Sequence, residues 1–264
     1  MLKHHLYPTD LTDEQWNIVN KLLPQRKVLG RPPKERRPIV NAMLYLIHSG
    51  CQWRMLPREY GPWTTVYSYF RRWRRLGLWQ QIHDYLVVLV RCEAGRAGMP
   101  SVGILDSQSV KAADHPGPRG FDAGKKINGR KRHLVVDSLG LIVAVLVTAA
   151  SVQDRDGAKR LLVLLQHGWI RLRTIWADGS YAGKLIPWLW LLRARHRIRL
   201  QIVRRSDAKQ GFQILPKRWI VERTFGWLVK NRRLRTDYET HEINSTAMIH
   251  IAMIRLMLNR LTTD

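Results

Sequence analysis

The sequence predicts an α/β protein in which a mixed sheet follows an all-helical region. Three observations support this class: apolar residues recur at helical spacing in the first part, short apolar runs alternate with helical patterns in the second, and Gly95–Pro100 has the composition of a linker. The length of 264 residues suits one large domain, or a small one joined to a medium one. The predicted boundaries are therefore 1–98 for the helical region and 99–264 for the α/β domain.

Helix signals mark four segments of the helical region. Thr12 and Gln15 form a capping box, in which each side chain satisfies a backbone amide of the first turn, and Pro24 ends this helix. A stiff basic connector, Gly30–Lys34, follows it. The remaining helices are predicted at Pro38–His48, from about Trp63 to Leu76, and at about Leu78–Glu93.

The second part predicts five strands interleaved with helices. The first three strands form a meander that includes a hairpin around the turn Asp137–Gly140, and helix and strand alternate after it, which indicates a mixed sheet covered by helices. The apolar run 134–150 is interrupted by that turn and too short to span a membrane. The predicted strands are Val102–Asp106, His133–Asp137, Leu141–Thr148, Thr174–Ala177 and Arg199–Val203, and the predicted helices are about Arg155–Gln166, Ser180–Arg195, Lys217–Arg232 and Asn244–Leu261.

The charge of the chain indicates a nucleic acid as its partner. The formal net charge is +25, and such an excess repels itself unless a polyanion or counterions screen it. A ribosome-like structural protein or a merely basic surface is the alternative. Cys51 and Cys92 are too few for a disulfide scaffold and lack metal-ligand spacing, which fits a reducing cytosol. The start of the chain carries no secretory apolar run.

Three carboxylates stand out against this basic background. Asp106 and Asp178 each end a short apolar strand, where α/β sheets place ligand sites. Glu222 lies inside a helical pattern, and at 100° per residue Arg218 and Arg233 would share its face. Carboxylates held by a sheet and a neighbouring helix suit divalent cations, such as a pair of Mg²⁺ ions that promote phosphoryl transfer.

Each of these acids also has an ordinary structural explanation. They can be a strand-end aspartate, a turn aspartate and a salt-bridged helix glutamate. Asp137, which also ends a predicted strand, is the strongest rival for a place in the site. If the first two strands pair antiparallel, however, Asp137 lies at the far edge of the sheet from Asp106 and caps a turn.

Four motifs resemble those of the DDE transposases of bacterial insertion sequences, and in particular the insertion-sequence-five type. The resemblance covers nearly the whole chain, including an N-terminal helical part of the kind these enzymes carry. Several linked motifs in the right order are far more specific than any single aspartate. The motifs are Ile104–Lys111, Phe121–His133, Ala177–Tyr181 and Arg218–Trp227.

This resemblance implies a fold, a reaction and a set of partners. The fold is a ribonuclease-H-like catalytic domain in which Asp106, Asp178 and Glu222 hold two Mg²⁺ (or Mn²⁺) ions. The reaction is hydrolysis at the ends of an insertion sequence, followed by transfer of the freed 3′-hydroxyl to target DNA. The partners are double-stranded DNA, as terminal repeats and as target, and a second copy of the chain. The implied location is the bacterial cytoplasm, at the nucleoid.

The sequence departs from the family pattern around the glutamate. Related transposases have Tyr seven residues before the glutamate, Arg four before and Lys seven after. Arg218 matches this pattern, but Leu215 replaces the tyrosine and Val229 occupies the lysine position, with Lys230 one residue on. Because Lys230 would project about 80° from the Glu222 face, either this lysine or Arg233 could supply the missing cation.

Two basic segments are predicted to contact DNA. Five cations interleaved with Gly124 and Gly129 form a basic loop beside Asp106, which suits a clamp on the cleaved strand; a solvated loop is the alternative. His133, which follows this loop, is expected to pack or to bond backbone rather than bind metal. In the helical region, the helices at 38–48 and 63–76 resemble a helix-turn-helix module with arginines on phosphates. The predicted contacts are Lys125, Lys126, Arg130, Lys131 and Arg132 in the loop, and Arg71, Arg72, Arg74 and Arg75 in the helix, beside Arg218, Lys230 and Arg233.

Two other functions remain open from the sequence. A decayed or domesticated transposase would bind DNA without cutting it, and a ribonuclease-H-like nuclease would hydrolyse DNA without joining it. For each of them, phosphate contacts predict a steep salt dependence, of order 10³–10⁵ in affinity between 50 and 200 mM salt.

Overall fold

The chain forms four helices and then a mixed sheet with helices on both faces. A computed structural model describes residues 6–24, 35–114, 117–165, 168–191, 198–203 and 217–262. The predicted connector at 30–34, Leu215 and the end of the helix predicted at 180–195 lie outside these residues. No helix in the described ranges is both long and apolar enough to cross a membrane.

The helical region contains α1 to α4 and packs around aromatic and aliphatic side chains. The capping box of Thr12 and Gln15 is present at the start of α1, and Gly50 ends α2 in the left-handed conformation. Val66, Phe70 and Trp73 of α3 are buried, so these apolar residues belong to the core. The four helices are α1 (Asp13–Leu22), α2 (Arg37–Ser49), α3 (Trp63–Arg75) and α4 (Leu78–Glu93).

The sheet confirms the predicted mixed topology and adds one strand. β1 (Val102–Lys111) pairs antiparallel with β3 (Ile127–Val136) and parallel with β5 (Thr174–Ala177). β4 (Ile142–Ala149) forms the predicted hairpin with β3, and β6 (Arg199–Ile202) lies parallel to β5. The short β2 (Gly120–Asp122), which was not predicted, pairs with the beginning of β3.

β1 and β3 are longer than predicted because their polar halves also pair. β1 continues past Asp106 to Lys111, and β3 begins at Ile127 rather than at His133. In the added part, Ser109 lies opposite Lys131 and Val110 opposite Arg130. The apolar runs in the sequence therefore predicted only the apolar part of each strand and missed the polar part.

Helices cover both faces of the sheet and join it to the helical region. One core contains buried residues of α1 to α4, the sheet, α7 (Trp219–Val229) and α8 (Glu242–Leu261). A second core lies on the other face, where α5 (Asp154–Leu164) and α6 (Leu185–Leu191) pack. Consecutive residues of β3 alternate between the two, with Leu134 in the first and Val135 in the second.

Candidate active site

The strand register brings Asp106 and Asp178 to the same level of the sheet. β1 and β5 are adjacent and parallel, and Ile104 lies opposite Trp176. Each aspartate follows its strand partner by two residues, so both side chains emerge side by side. The expectation that these two acids come together therefore has a direct basis in the pairing of β1 with β5, although Asp106 lies within β1 and only Asp178 follows the end of its strand.

Arg218 brings Glu222 into the same group. One atom, Arg218 Nη2, lies 3.5 Å from Asp106 Oδ2, 3.3 Å from Asp178 Oδ2 and 3.9 Å from Glu222 Oε1. No two of these three oxygens can therefore be farther apart than about 7.4 Å, the sum of the 3.5 and 3.9 Å distances. Arg218 precedes the first residue of α7, and Glu222 follows it by one helical turn. We call Asp106, Asp178 and Glu222 the carboxylate triad.

The three carboxylates have different surroundings. Burial raises the pKa of Asp106 to about 6, although the backbone N–H of Ser107 and the charge of Arg218 act in the opposite direction. Asp178 caps a short 3₁₀ turn, and its Oδ1 accepts a hydrogen bond from the backbone N–H of Ser180 at 2.9 Å. The Glu222 side chain is 60% exposed. The site therefore combines two partly buried aspartates with one open glutamate.

The triad has the ligand chemistry of a site for a hard divalent cation. Carboxylate oxygens are the protein ligands that Mg²⁺ prefers. Within the described ranges, however, no three His, Cys, Asp or Glu side chains are arranged as a ready metal cluster. The guanidinium of Arg218 lies within 4 Å of all three acids, which places a cation where a metal ion would be expected.

A buried polar network supports β1 next to the triad. Lys131 is buried and its Nζ lies 3.1 Å from Asp122 Oδ2 and 2.9 Å from Asp154 Oδ1. Ser107 of β1 donates to Asp154 at 2.8 Å, and Ser109 donates to Asp122 at 2.6 Å. Sequence reasoning missed both acids. The available signal is that Asp122 precedes a turn whose backbone amides it accepts, and that Asp154 is the first residue of α5.

Lys125 lies close to the triad, whereas Lys126 extends from the same turn into solvent. Lys125 Nζ donates to the backbone carbonyl of Ser107 at 3.0 Å, and its charge acts on Asp106. Lys126 adopts a left-handed backbone conformation with φ of 54°, and both lysines are exposed. These two cations of the predicted basic loop are therefore open to a ligand at the site.

The other three cations of that loop are not in a loop, and their prediction as DNA contacts is wrong for this structure. Arg130, Lys131 and Arg132 lie in β3, which is paired on both sides, and all three are buried. Arg130 donates to Asp237, Ser245 and the carbonyls of Pro118 and Thr240. Burial lowers the pKa of Arg132 to about 10. All three side chains are therefore held in the interior, where they cannot reach a phosphate.

Arg233 is also internal, and it does not share the face of Glu222. The sequence predicted a helix that continues to Arg232, but α7 ends at Val229 and a 3₁₀ turn follows. Arg233 is buried and binds Glu239 at 2.7 Å and the carbonyl of Cys51 at 2.9 Å. Lys230 remains exposed at the end of α7.

The arginines of α3 divide into an exposed set and one internal member. Arg71, Arg72 and Arg75 are exposed. Arg74 is partly buried and donates to the side-chain oxygen of Asn244 at the start of α8. The exposed three remain available to a polyanion.

His133 and Asp137, the other polar residues weighed from the sequence, are both buried away from the triad's carboxylates. His133 Nε2 lies 3.1 Å from Thr148 Oγ1, and burial lowers the pKa of His133 to about 4. Asp137 follows the last residue of β3, three residues beyond Leu134, the strand partner of Asp106, where it accepts backbone amides of the hairpin turn and forms an ion pair with Arg91. Neither residue joins the triad.

Aromatic residues around α7 form a cation–aromatic series that sequence reasoning missed. The guanidinium of Arg223 lies 4.5 Å from the ring centre of Trp219 and 4.7 Å from that of Trp227. Lys217 Nζ lies 3.8 Å from the ring centre of Trp176, two residues before Asp178. The spacing of four residues along α7 was the available signal.

Comparison with known protein families assigns this chain, with its mixed sheet and converging acids, to a class. Residues 97–257 match the family described as "Transposase DDE domain", and residues 11–83 match the family described as "Putative transposase of IS4/5 family". The chain therefore belongs to the DDE transposase family, which confirms the resemblance read from its motifs. The α/β fold with N-terminal helices is consistent with the expected ribonuclease-H-like architecture.

Curated relatives share parts of the chain. A "Putative transposase for insertion sequence element IS402" from Burkholderia cepacia is 29% identical over 153 residues, which are 53% of this chain and 64% of that protein. An "Insertion element IS402 uncharacterized 16.2 kDa protein" from the same species is 30% identical over 109 residues, 39% of this chain and 73% of that protein. The "Uncharacterized protein y4sN" of Sinorhizobium fredii is 30% identical over 106 residues, 40% and 78% respectively. No solved structure matches the chain significantly.

Proposed function

We propose that this chain is a metal-dependent transposase that cleaves DNA at the ends of an insertion sequence and joins the freed 3′-hydroxyl to target DNA. The observation that carries the proposal is the convergence of three carboxylates, far apart in sequence, around Arg218. Membership in the DDE transposase family supports the same reaction.

Asp106, Asp178 and Glu222 would hold the divalent cations, Mg²⁺ or Mn²⁺, because their oxygens are hard ligands within reach of one another. A pair of such ions activates the attacking oxygen and stabilises the leaving one. The chain itself contributes rigidity, since β1 and β5 fix the two aspartates while α7 supplies the glutamate from the side. At neutral pH Asp106 is mostly ionised, because its pKa of about 6 lies below 7.

Two successive phosphoryl transfers make up the proposed reaction. In the first, a water oxygen bonds to phosphorus at the element end, the P–O3′ bond breaks, and a 3′-hydroxyl and a 5′-phosphate result. In the second, that 3′-hydroxyl attacks a phosphate of the target, a new phosphodiester forms and the target's own 3′-hydroxyl leaves. In each step the proton of the attacking hydroxyl passes to solvent or to the leaving oxygen.

The DNA backbone would lie across the exposed cations near the triad. Lys125 lies beside Asp106 and Lys126 extends from the same turn, Arg218 lies within the triad, and Lys230 follows the last residue of α7. The exposed arginines of α3 would extend this contact to the helical region, as the helix-turn-helix interpretation requires. Since two element ends must be joined to one target, the proposal includes two copies of the chain on DNA.

One assay distinguishes this function from its alternatives. Labelled element ends, a target plasmid and Mg²⁺ are incubated with the wild type and with Asp106→Asn, Asp178→Asn and Glu222→Gln. We expect nicks and joined products with the wild type and with none of the three triad variants, and unchanged DNA binding by all three variants. Glu93→Gln, which changes an exposed acid at the end of α4, is the matched control and should cleave normally.

Other outcomes of the same assay identify other functions. Nicks without joined products would indicate a nuclease, and binding without nicks would indicate a non-catalytic DNA-binding protein. Full cleavage by any one triad variant would remove that residue from the proposed site.

A further inference from the structure

Arg218 lies at the centre of the triad rather than in an ion pair with one member. Its Nη2 is 3.3 to 3.9 Å from an oxygen of each acid. All three distances exceed the usual 2.7–3.2 Å of a hydrogen bond, so no single carboxylate holds the guanidinium in a bidentate pair. The side chain is 21% exposed, which leaves it a route to solvent.

The charges of the triad require a cation at this position. The negative charges of three carboxylates whose oxygens lie within about 7.4 Å of one another repel each other, and a cation among them offsets this repulsion. Arginine is suited to this task because it stays protonated at any physiological pH. The guanidinium thus supplies in the free protein the charge that a metal ion would supply.

A guanidinium and a divalent cation cannot share this position. Mg²⁺ binds carboxylate oxygens at about 2.0–2.1 Å, and its charge would repel a guanidinium that contacts the same oxygens. Displaced from the triad, the arginine fork matches the geometry of a phosphate group. A DNA backbone at the site would therefore give Arg218 a new partner.

We infer that Arg218 is the built-in counter-ion of the carboxylate triad, which competes with divalent cations and leaves when they bind. The inference rests on the proposed function, because it takes the triad as the metal site. It assigns Arg218 a role in metal affinity as a positioning residue, in addition to the DNA contact expected from its place in the motif. Metal and DNA should then favour each other's binding, since DNA takes up the group that metal displaces.

The test measures Mn²⁺ affinity in the absence of DNA, by calorimetry and by electron paramagnetic resonance of free Mn²⁺. Arg218→Gln should bind Mn²⁺ about tenfold more tightly than the wild type, within the 5–150-fold range of typical coupling. Arg218→Lys should fall between the two, because its charge remains but its planar fork is lost. Arg96→Gln removes the same charge from an exposed site and should bind like the wild type.

Thermal unfolding gives a second readout that needs no turnover. Without metal, Arg218→Gln should unfold at a lower temperature than the wild type, because the triad loses its counter-ion. Added Mn²⁺ should then stabilise the variant more than the wild type, since stabilisation grows with ligand affinity. Arg218→Lys retains a cation, so it serves if the glutamine variant does not fold.

Each outcome bears on one of the two proposals. Equal Mn²⁺ affinity in Arg218→Gln and the wild type would contradict the proposal that Arg218 competes with the metal ion. It would not contradict the proposal that the triad binds metal. Weaker affinity would also overturn it and would show that Arg218 holds the acids in place for the metal. Binding that persists unchanged in Asp106→Asn would place Mn²⁺ elsewhere and overturn the metal site itself. Absence of binding in every variant would overturn both.

Discussion

The ion pair between Arg91 and Asp137 predicts that Arg91→Met destabilises the fold. Arg91 belongs to α4 of the helical region, and Asp137 begins the turn between β3 and β4. The Asp137 side chain is 0% exposed. Its Oδ1 accepts from the backbone amides of Leu139 and Leu141, at 2.9 and 2.8 Å, and its Oδ2 accepts from the guanidinium of Arg91.

Methionine keeps the length of the side chain but leaves the Asp137 carboxylate buried and without its cation. Breaking a buried pair from one side costs about 3–5 kcal/mol. At roughly 2–4 °C per kcal/mol for a chain of this size, the melting temperature should fall by about 6–20 °C. Adding Asp137→Asn should restore much of this loss, because the amide oxygen still accepts the two backbone amides and no unpaired charge remains.

Urea unfolding followed by tryptophan fluorescence measures these differences, since the chain carries 11 tryptophans. Arg96→Met, which removes an exposed arginine beyond the same helix, is the matched control and should change the free energy of unfolding by less than about 0.5 kcal/mol. A loss below about 1 kcal/mol in Arg91→Met, or no recovery in the double variant, would refute the reasoning. Weaker DNA binding with unchanged stability would instead assign Arg91 to the DNA surface.

Two further predictions follow from buried groups of the α/β domain. Because burial raises the Asp106 pKa to about 6, cleavage at low Mg²⁺ should rise as pH increases through about 6, and a rate flat from pH 5 to 7 would contradict this. The same shift means that the folded protein binds this proton more tightly than the unfolded chain, so the stability that Asp106 contributes is present below about pH 4 and lost as pH rises through 6. Gly157→Ala would place its Cβ 2.0 Å from His133 Cε1 and should cost about 1–3 kcal/mol in urea unfolding. His133→Ala in the same chain should relieve that cost, and a Gly157→Ala variant as stable as the wild type would disprove the close packing of α5 on β3.

The sequence predicted those features correctly that depend on residues close together in the chain. Short apolar runs located β5 and the apolar part of β1, and an aspartate directly after such a run is a local signal of a polar position in the sheet. The capping box of α1 is equally local, since both partners lie within one turn. The sequence therefore indicated that each aspartate lies where a ligand can bind, whereas their adjacency depends on the parallel pairing of β1 with β5, which the sequence did not predict.

The predicted DNA contacts were wrong where a charged residue has a partner far away in the sequence. Arg130 bonds Asp237, which lies 107 residues further along the chain, and no local pattern reveals that pairing. Glycines beside a run of cations have the composition of a loop, although here the run forms a strand buried between two others. The prediction that Arg233 shares the face of Glu222 was wrong for a different reason. The helix that was expected to contain Arg233 ends four residues before it.

The burial of several predicted DNA-contacting cations changes which residues can bind DNA, but the predicted salt dependence of DNA binding stays the same. Of the twelve cations predicted to contact DNA, four are buried and Arg74 is bonded to Asn244, which leaves seven. A loss of 10³–10⁵ in affinity between 50 and 200 mM salt corresponds to about 6–10 phosphate contacts. Seven available cations fall within that range, so the prediction does not need the buried ones. A part of the basic excess, including Arg130, Lys131, Arg132 and Arg233, therefore lies in the interior, and only the exposed cations are a measure of the surface that DNA would meet.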